Sequence, residues 1–340
     1  MTVEEARTAM FVPLCGGYIK CWSNLRELIV TSGKAMGLKK AKWLRPFSVA
    51  LLLLFSGGIF IFARAQAYPE PPATLTLKRD VCYATIDGQP LYMDIVTPKV
   101  AKDKNPFPVV LCIHGGGWAA GHKRDMLGCA FLLSQLGFVT ASIDYRLVPH
   151  AHFPAQVEDA KAAVRYLRRN AAELNIDPKR IGAIGSSAGG HLALFLGTTD
   201  NTEPVLSSDT SQPQVSSSVK AVVSMAGPTS LVLALPADAE KIAQRFIGKS
   251  RAESPESFAT ASPVNYLSSD DAPMLMIHGS KDELVPYNQA TTMLESCKKA
   301  RVDAELITIE GGGHGGGGNQ ADWNASIVKM AEFLKKHLQQ

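Results

Sequence analysis

Short apolar runs alternate with longer amphipathic segments over most of the chain beyond residue 75. Eight runs have the length and apolar content of strands, at residues 75–84, 91–96, 109–113, 138–145, 180–184, 219–225, 274–277 and 304–309. Residues 155–174 instead carry apolar side chains at helical spacing, namely Val157, Ala160, Val164 and Leu167. Strands that alternate with helices favour a mostly parallel sheet covered on both faces. The pattern therefore predicts an α/β fold with about eight strands.

Further elements follow from the same pattern. Helices are expected at residues 123–136, 239–247 and 322–337. Asp87-Gly88 between the first two strands is a strong signal for a β-hairpin turn. Residues 200–218 are rich in Ser and Thr and predict a mobile loop. In a parallel sheet of this kind, the loops that follow the carboxyl ends of the strands carry the functional groups.

One of these loops contains the most specific motif in the chain. Residues 185–189 read Gly-Ser-Ser-Ala-Gly and fit the G-x-S-x-G pattern of a nucleophile elbow, with a strand before them and a helix after them. In that motif a strand turns sharply into a helix and holds the serine in a strained conformation. Gly185 and Gly189 allow the close approach of strand and helix. The motif predicts Ser187 as a nucleophile.

A glycine loop follows the strand at residues 109–113, with the sequence His114-Gly-Gly-Gly-Trp118. Backbone N–H groups without neighbouring side chains can point at an oxyanion, as acyl transfer requires. We expect Gly116 and Gly117 to donate from this loop, and Ala188, the residue after the serine, to donate from the elbow. The N–H of Trp118 is an alternative donor, and a plain tight turn is the alternative interpretation of the loop.

An acid and a base are expected at later strand ends, in the order Ser, Asp or Glu, His. Asp282 lies in the loop after the strand at residues 274–277, with Glu283 as its rival. His314 follows the strand at residues 304–309, in a segment whose other seven residues from 311 to 318 are all glycine. We expect this segment to be a flexible loop. The pattern predicts Asp282 as the acid and His314 as the base.

The remaining histidines are expected to be structural. His191 follows the elbow on its helix and packs or faces solvent, His114 braces its own loop, and His278 forms local hydrogen bonds. His150 and His152 lie in a proline-containing loop and are weaker candidates for contact with a substrate.

Several segments together resemble the α/β-hydrolase superfamily over residues 75–338. They are His114-Gly-Gly-Gly-Trp118, Asp144-Tyr-Arg-Leu147, Phe153-Pro-Ala155, Gly185-Ser-Ser-Ala-Gly-Gly-His191, His278-Gly-Ser-Lys-Asp282 and His314-Gly315. The closer similarity is to the esterase/lipase branch, which includes hormone-sensitive-lipase-like esterases and bifunctional feruloyl and acetyl-xylan esterases. The resemblance implies the α/β-hydrolase fold and a serine esterase that needs no cofactor and no metal. It also implies that Ser187, Asp282 and His314 form a triad, with Gly116, Gly117 and Ala188 as the oxyanion hole.

Two departures favour the feruloyl and acetyl-xylan side of this resemblance. Ser186 stands where hormone-sensitive-lipase-like enzymes usually have an acidic residue. The stretch before His114 has room for little more than a β-hairpin, whereas those enzymes usually carry a helical cap there.

Charge and cysteine content exclude other classes of function. The net charge is only +4, and no basic patch with interleaved aromatic residues suggests nucleic-acid binding. The six cysteines lack metal-type spacing. Cys112 and Cys129 are expected to be buried apolar residues, and Cys82 and Cys297 pair only if the fold brings them together.

An apolar run at residues 47–63 follows basic residues and precedes small residues, as in a secretory signal peptide. We expect residues 36–65 to be a signal peptide or a retained membrane anchor. Translation is expected to start at Met36, with residues 1–35 as an upstream extension and residues 66–340 as the catalytic domain. The domain would then be secreted or periplasmic, or anchored on the extracytoplasmic side.

These features together predict an exported serine esterase that acts on acetyl or feruloyl esters of carbohydrate. Three alternatives remain open: a carboxylesterase or lipase for small esters, a prolyl-oligopeptidase-like peptidase or amidase, and a non-catalytic binding protein. The expected partner is an ester substrate, either free or linked to a polysaccharide. No nucleic acid is expected, and membrane contact is expected only through an uncleaved N-terminal segment.

Overall fold

The structure, a computed structural model, describes residues 68–99, 106–199 and 215–339. The upstream extension expected at residues 1–35, the signal peptide or anchor expected at residues 36–65 and most of the loop expected at residues 200–218 lie outside these ranges. Among the described residues, no helix combines the length and apolar character that crossing a membrane would need. The described residues from Glu70 onward belong to one unit.

Eight strands form the main sheet, as the sequence predicts. In chain order they are β1 (Leu75–Ile86), β2 (Gln89–Pro98), β3 (Phe107–Ile113), β4 (Val139–Ile143), β5 (Ile176–Ser186), β6 (Val222–Met225), β7 (Met274–Gly279) and β8 (Ala304–Ile309). Their order across the sheet is β1-β2-β4-β3-β5-β6-β7-β8. Strand β2 is antiparallel to both of its neighbours, and β4, β3, β5, β6, β7 and β8 are parallel. The carboxyl ends of β3, β5, β7 and β8 therefore meet at one edge.

The hairpin of β1 and β2 forms where the sequence predicts it. Asp87 and Gly88 both have positive φ, 50° and 76°, as a two-residue turn between twisted antiparallel strands requires. Between Leu75 and β3, the described residues contain only this hairpin, so no helical cap is seen there.

Helices cover the sheet and depart from the predictions in two places. They are α1 (Leu127–Gln135), α2 (Ala155–Arg169), α3 (Ala171–Leu174), α4 (Ala188–Thr198), α5 (Ala237–Ile247), α6 (Pro255–Thr260), α7 (Asn288–Ala300) and α8 (Gln320–Leu338). The helix predicted at residues 123–136 starts as a 3₁₀ turn, Lys123–Met126. The helix predicted at residues 155–174 breaks at Asn170, whose side chain donates to Tyr166 O (2.8 Å). An Asn that bonds its own backbone in this way favours a helix end.

Burial explains why the central elements form. In β3 every residue after Phe107 is buried, as expected for a strand with helices on both sides. Helix α4 is apolar all round and buried along its whole length. In α2 the four predicted apolar positions are fully buried. The core therefore lies on both faces of β3 and β5, the strands that lead to the glycine loop and to the elbow.

The glycine-rich segment after β8 is more ordered than the expected flexible loop. Gly312–Gly313 (β9) pairs with Gly316–Gly317 (β10) in a two-stranded hairpin with His314 and Gly315 at its tip. Gly315 has φ 72°, which a β-turn with a positive φ at its third position requires. Contacts from outside hold the hairpin: Lys281 N donates to Gly312 O (2.8 Å) and Trp323 Nε1 donates to Gly317 O (2.8 Å).

Candidate active site

Ser187 lies at the turn between β5 and α4 in a strained backbone conformation. Its φ of 54° and ψ of −121° are unfavourable for a residue with a side chain. Hydrogen bonds hold it there: Ser187 N donates to Met225 O (2.7 Å), and His191 N donates to Ser187 O (3.0 Å). The elbow predicted from the sequence is therefore present in its full geometry.

The two elbow glycines are required because backbone segments meet there. A Cβ on Gly185 would lie 2.1 Å from Gly189 O, and a Cβ on Gly189 would lie 2.1 Å from Ile113 O. Both distances are far below van der Waals contact, and the obstructing atoms belong to the backbone. Strand β5, helix α4 and the end of β3 can approach one another this closely only without those side chains.

The structure brings Ser187, His314 and Asp282 together in one hydrogen-bonded chain. His314 Nε2 lies 2.9 Å from Ser187 Oγ, and His314 Nδ1 lies 2.8 Å from Asp282 Oδ2. An ionised carboxylate only accepts hydrogen bonds, so Nδ1 must carry the proton. Nε2 is then free to accept from the serine hydroxyl, which is the arrangement that activates a serine.

The loop around Asp282 stabilises a negative charge. Asp282 Oδ1 accepts hydrogen bonds from the backbone N–H groups of Leu284 (3.0 Å) and Val285 (2.8 Å). Burial alone would raise the pKa of Asp282. Hydrogen bonds from His278, His314 and Val285 N–H outweigh burial and hold that pKa below its usual range. The carboxyl group therefore stays ionised at neutral pH.

The predicted rival acid takes no part in this arrangement. Glu283 is exposed, whereas Asp282 is buried. The expected local hydrogen bond of His278 is present, since its Nε2 donates to Val285 O (2.8 Å). What sequence reasoning missed is that the same Nε2 lies 3.4 Å from Asp282 Oδ2. No sequence pattern signals this contact, because a four-residue spacing brings side chains together in a helix, whereas His278 lies in β7.

The glycine loop after β3 lies directly against Ser187. A Cβ on Gly115 would be 3.2 Å from Ser187 Cβ. In the described parts of the chain, the N–H groups of Gly116, Gly117 and Ala188 donate to no protein acceptor. Gly116 and Gly117 have φ of 112° and 59°. Three unused donors close to a serine hydroxyl can stabilise an oxyanion formed there.

His114 braces this loop, as predicted. Its ring stacks on Tyr145 with a centroid distance of 4.3 Å, and its Nδ1 lies 2.7 Å from Gly115 O. The Tyr145 hydroxyl donates to His114 O (3.0 Å). Burial lowers the pKa of His114, so the ring is neutral near pH 7.

His191 and His152 make packing and anchoring contacts. His191 is fully buried, donates from Nε2 to Ala261 O (2.9 Å) and meets the rings of Trp118 and Phe246 edge-on. Burial lowers the pKa of His191 to about 4. His152 donates from Nδ1 to Arg245 O (2.9 Å) in α5. His191 therefore packs, and His152 anchors α5; no contact of His150 with the triad is found in the described region.

The four cysteines in the described ranges are free thiols. Cys112 and Cys129 are buried as predicted, and Cys82 is exposed on β1 while Cys297 is buried in α7, so the fold does not pair these two. Within the same ranges, no group of His, Cys, Asp and Glu side chains is arranged to hold a metal ion.

Known proteins with similar sequences are esterases. The model of the BD-FAE family matches residues 93–297. Esterase LipC of Mycobacterium tuberculosis is 32% identical over 221 residues, which cover 62% of this chain and 53% of LipC. The chain spans about half the length of the curated relatives that it matches.

Solved structures of similar proteins have the same fold. A truncated form of a carbohydrate esterase from gut microbiota has a TM-score of 0.70 and 31% identity, covering 79% of this chain and 99% of that one. The propionate-bound Est2 esterase of Thermogutta terrifontis has a TM-score of 0.65 and 27% identity, covering 80% of this chain and 97% of that one. The fold is therefore that of the α/β-hydrolase esterases.

Proposed function

The chain belongs to the BD-FAE family, and from the geometry around Ser187 we propose that it hydrolyses carboxylic esters through an acyl-enzyme. The observation that carries this proposal is the chain of hydrogen bonds from Ser187 Oγ through His314 to Asp282, at 2.9 and 2.8 Å. Its esterase relatives support the same reaction class.

In the proposed reaction, Ser187 Oγ attacks the carbonyl carbon of the ester while His314 Nε2 takes the hydroxyl proton. Asp282 holds the imidazole in the required tautomer and stabilises its positive charge. The carbonyl oxygen becomes an oxyanion, which accepts hydrogen bonds from the N–H groups of Gly116, Gly117 and Ala188.

The tetrahedral intermediate then collapses, the bond to the alcohol oxygen breaks, and His314 gives its proton to the departing alkoxide. A water molecule next loses a proton to His314 and attacks the acyl-enzyme. Collapse of the second intermediate releases the carboxylic acid and returns the proton to Ser187.

Replacement of Ser187 tests this mechanism. Ser187→Ala removes the nucleophile, and we expect kcat for p-nitrophenyl acetate to fall by roughly 10⁴–10⁶. Ser186→Ala is the matched control, because the neighbouring serine has no role in the proposed reaction, and it should retain turnover. Equal turnover in Ser187→Ala and the unmodified protein would rule out Ser187 as the nucleophile.

For the substrate, we propose acetyl or feruloyl esters of carbohydrate. Two observations support an alcohol as bulky as a sugar: the carbohydrate esterase is similar over 99% of its length, and the described chain before β3 holds a hairpin rather than a cap. The second candidate is a small free ester, which the similarity to propionate-bound Est2 favours.

A substrate panel separates these candidates. Acetylated xylan and methyl ferulate represent the first, p-nitrophenyl butyrate represents the second, and an aminoacyl anilide represents a peptidase or amidase. Faster turnover of the carbohydrate esters supports the first proposal. Faster turnover of butyrate supports the second, and anilide cleavage without ester cleavage contradicts both.

We also propose that residues 36–65 direct the catalytic domain out of the cytoplasm, either as a cleaved signal peptide or as an anchor. The basis is the order of basic, apolar and small residues in the sequence. Fractionation of expressing cells tests the proposal. Activity in the periplasm or medium indicates cleavage, activity in carbonate-washed membranes indicates an anchor, and activity confined to the cytosol contradicts export.

A further inference from the structure

Helix α5 lies directly on the glycine loop beside Ser187. Its residue Ile242 is half-buried, and a Cβ on Gly117 would lie 3.1 Å from Ile242 Cγ2 and 3.9 Å from Cδ1. Gly117 N is bonded to the same Cα as that Cβ would be. An ester carbonyl oxygen that accepts a hydrogen bond from Gly117 N–H would therefore lie close to the Ile242 side chain.

Contacts on both flanks fix α5 in this place. Phe246 of α5 stacks on Trp118 of the glycine loop, with a centroid distance of 4.0 Å and an interplanar angle of 13°. Phe153 N donates to Phe246 O (3.0 Å), and His152 donates to Arg245 O (2.9 Å). Aromatic stacking and backbone hydrogen bonds together leave α5 little freedom to move away from the loop.

A separate ion pair ties α5 to the segment that follows it. Arg251 Nη2 lies 2.5 Å from Glu240 Oε2, while its guanidinium carbon lies 4.6 Å from the centre of the Phe258 ring. The stacking, hydrogen bonds and ion pair of α5 therefore fix the position of Ile242.

The strand order decides which half of an ester meets Ile242. The alcohol oxygen must receive a proton from His314, which comes from the β8 side of Ser187. The carbonyl oxygen lies at the N–H groups of the loop after β3, and the acyl group leaves the carbonyl carbon on the side away from His314. We infer that it lies beside the loops after β3 and β4, which are on the opposite side of β5 from β8. Helix α5 packs against the loops after exactly these two strands, through Trp118 and His152.

We propose that Ile242 is a specificity-determining residue that limits the length of the acyl group, so that acetyl and other short acyl groups are preferred. Of the two ester classes proposed above, this favours acetyl esters over feruloyl esters. This inference rests on the proposed function of Ser187. Ile242 contacts the acyl group beside the oxyanion donor Gly117, and a longer chain collides with its branched side chain. The alcohol half, on the His314 side, is unaffected by Ile242.

The test measures kcat/KM for p-nitrophenyl acetate, butyrate and hexanoate. In Ile242→Ala we expect the hexanoate-to-acetate ratio to rise at least ~10-fold, since one or two methylenes in an apolar pocket change selectivity by 10- to 200-fold. Ile242→Val should give a smaller rise, and Ile242→Phe should lower the ratio. Lys241→Ala is the matched control, because Lys241 is the exposed neighbour on the same helix and should leave the ratio unchanged.

Two failures are distinguishable when Ser187→Ala is assayed beside these variants. If the unmodified protein shows no Ser187-dependent turnover of any ester, the proposed function fails, and the role of Ile242 falls with it. If turnover depends on Ser187 but the ratio in Ile242→Ala and Ile242→Val stays within twofold of the unmodified protein, only the role of Ile242 is overturned. With methyl esters in place of p-nitrophenyl esters, Ile242→Ala should show the same shift in acyl preference. A shift that vanishes with methyl esters would place Ile242 on the alcohol side and overturn its proposed role.

Discussion

Asp282 and Glu283 are neighbours with the same charge, yet their surroundings differ. Asp282 is buried and accepts hydrogen bonds from His314 and from two backbone N–H groups, whereas Glu283 is exposed. These hydrogen-bond donors hold the Asp282 carboxylate in place, so Asp282 rather than Glu283 can orient the imidazole of His314. Replacing each carboxylate by its amide therefore distinguishes a specific role of Asp282 from an effect of the loop's negative charge in general.

Asp282→Asn should lower kcat by about 10⁴, because an amide can hold the imidazole in the wrong tautomer and cannot stabilise its positive charge. The Asn oxygen can still accept the two backbone N–H groups, so the melting temperature should change little. Glu283→Gln is the control and should keep kcat within about twofold. A comparable loss in both variants would show that the general charge of the loop matters, rather than the acid at position 282.

His191 makes stability depend on pH. Its pKa is about 4 in the folded protein and about 6.5 in an unfolded chain. Between these two pH values, His191 is mostly protonated in the unfolded chain and mostly neutral in the folded protein. The unfolding free energy should therefore fall by about 3 kcal/mol as pH drops from 6.5 to 4. His191→Gln keeps a donor for Ala261 O without titrating. Denaturant unfolding at several pH values should give a shallower slope in that variant, and an unchanged slope would contradict this origin.

At the scale of elements, the strand–turn–helix of the elbow is the least adaptable part of the fold. Its glycines face backbone atoms, which cannot rotate aside as a side chain can. Gly316 of the β9–β10 hairpin differs, since a Cβ there would meet no atom within 4 Å and its φ is not positive. The same substitution should therefore have opposite effects in the two elements.

Gly185→Ala places a Cβ 2.1 Å from Gly189 O, and we expect it to cost at least about 3 kcal/mol of unfolding free energy or to abolish soluble expression. Gly316→Ala should stabilise the protein by about 0.4–1 kcal/mol, because Ala restricts the unfolded chain. Thermal melting monitored by circular dichroism measures both. A similar melting temperature for the two variants would contradict the close backbone contact at the elbow.

The sequence predicts the elbow and triad because each depends on a short pattern at a strand end. Gly185, Ser187 and Gly189 form one such pattern, and the single non-glycine at residue 314 marks another. The contact of Ile242 with Gly117 has no such signal, because it depends on where α5 packs against the loop after β3. The break at Asn170 and the pairing of glycines around His314 were also missed, because a local hydrogen bond and tertiary contacts override the periodic pattern.

At the scale of the whole molecule, the last helix supports the strand that carries the nucleophile. Leu334 and Leu338 of α8 are fully buried, and a Cβ on Gly182 of β5 would lie 2.7 Å from Leu338 Cδ1. Arg180 of β5 donates to Leu338 O (3.3 Å). Helix α8 therefore packs on β5 at Arg180 and Gly182, which precede the elbow in the strand.

Leu338→Ala should lower the unfolding free energy by about 2–5 kcal/mol, because it leaves a cavity in a fully buried position. Since Leu338 packs beside Gly182 rather than near the elbow, KM and kcat at 25 °C should stay within about twofold. Glu332→Ala, an exposed position of the same helix, should change stability by less than about 0.5 kcal/mol. A large change in kcat for Leu338→Ala at a temperature where the fold is intact would contradict this separation.

The groups around Ser187 come from the ends of β3, β5, β7 and β8, and His314 lies 127 residues after the serine that it contacts. During synthesis, the elbow emerges from the ribosome long before its base exists. In the proposed reaction, a growing chain that lacks His314 cannot activate Ser187, so activity begins only when β8 and the hairpin after it have folded. Under the proposed function, ester turnover therefore reports that β8 and the hairpin carrying His314 have joined the sheet.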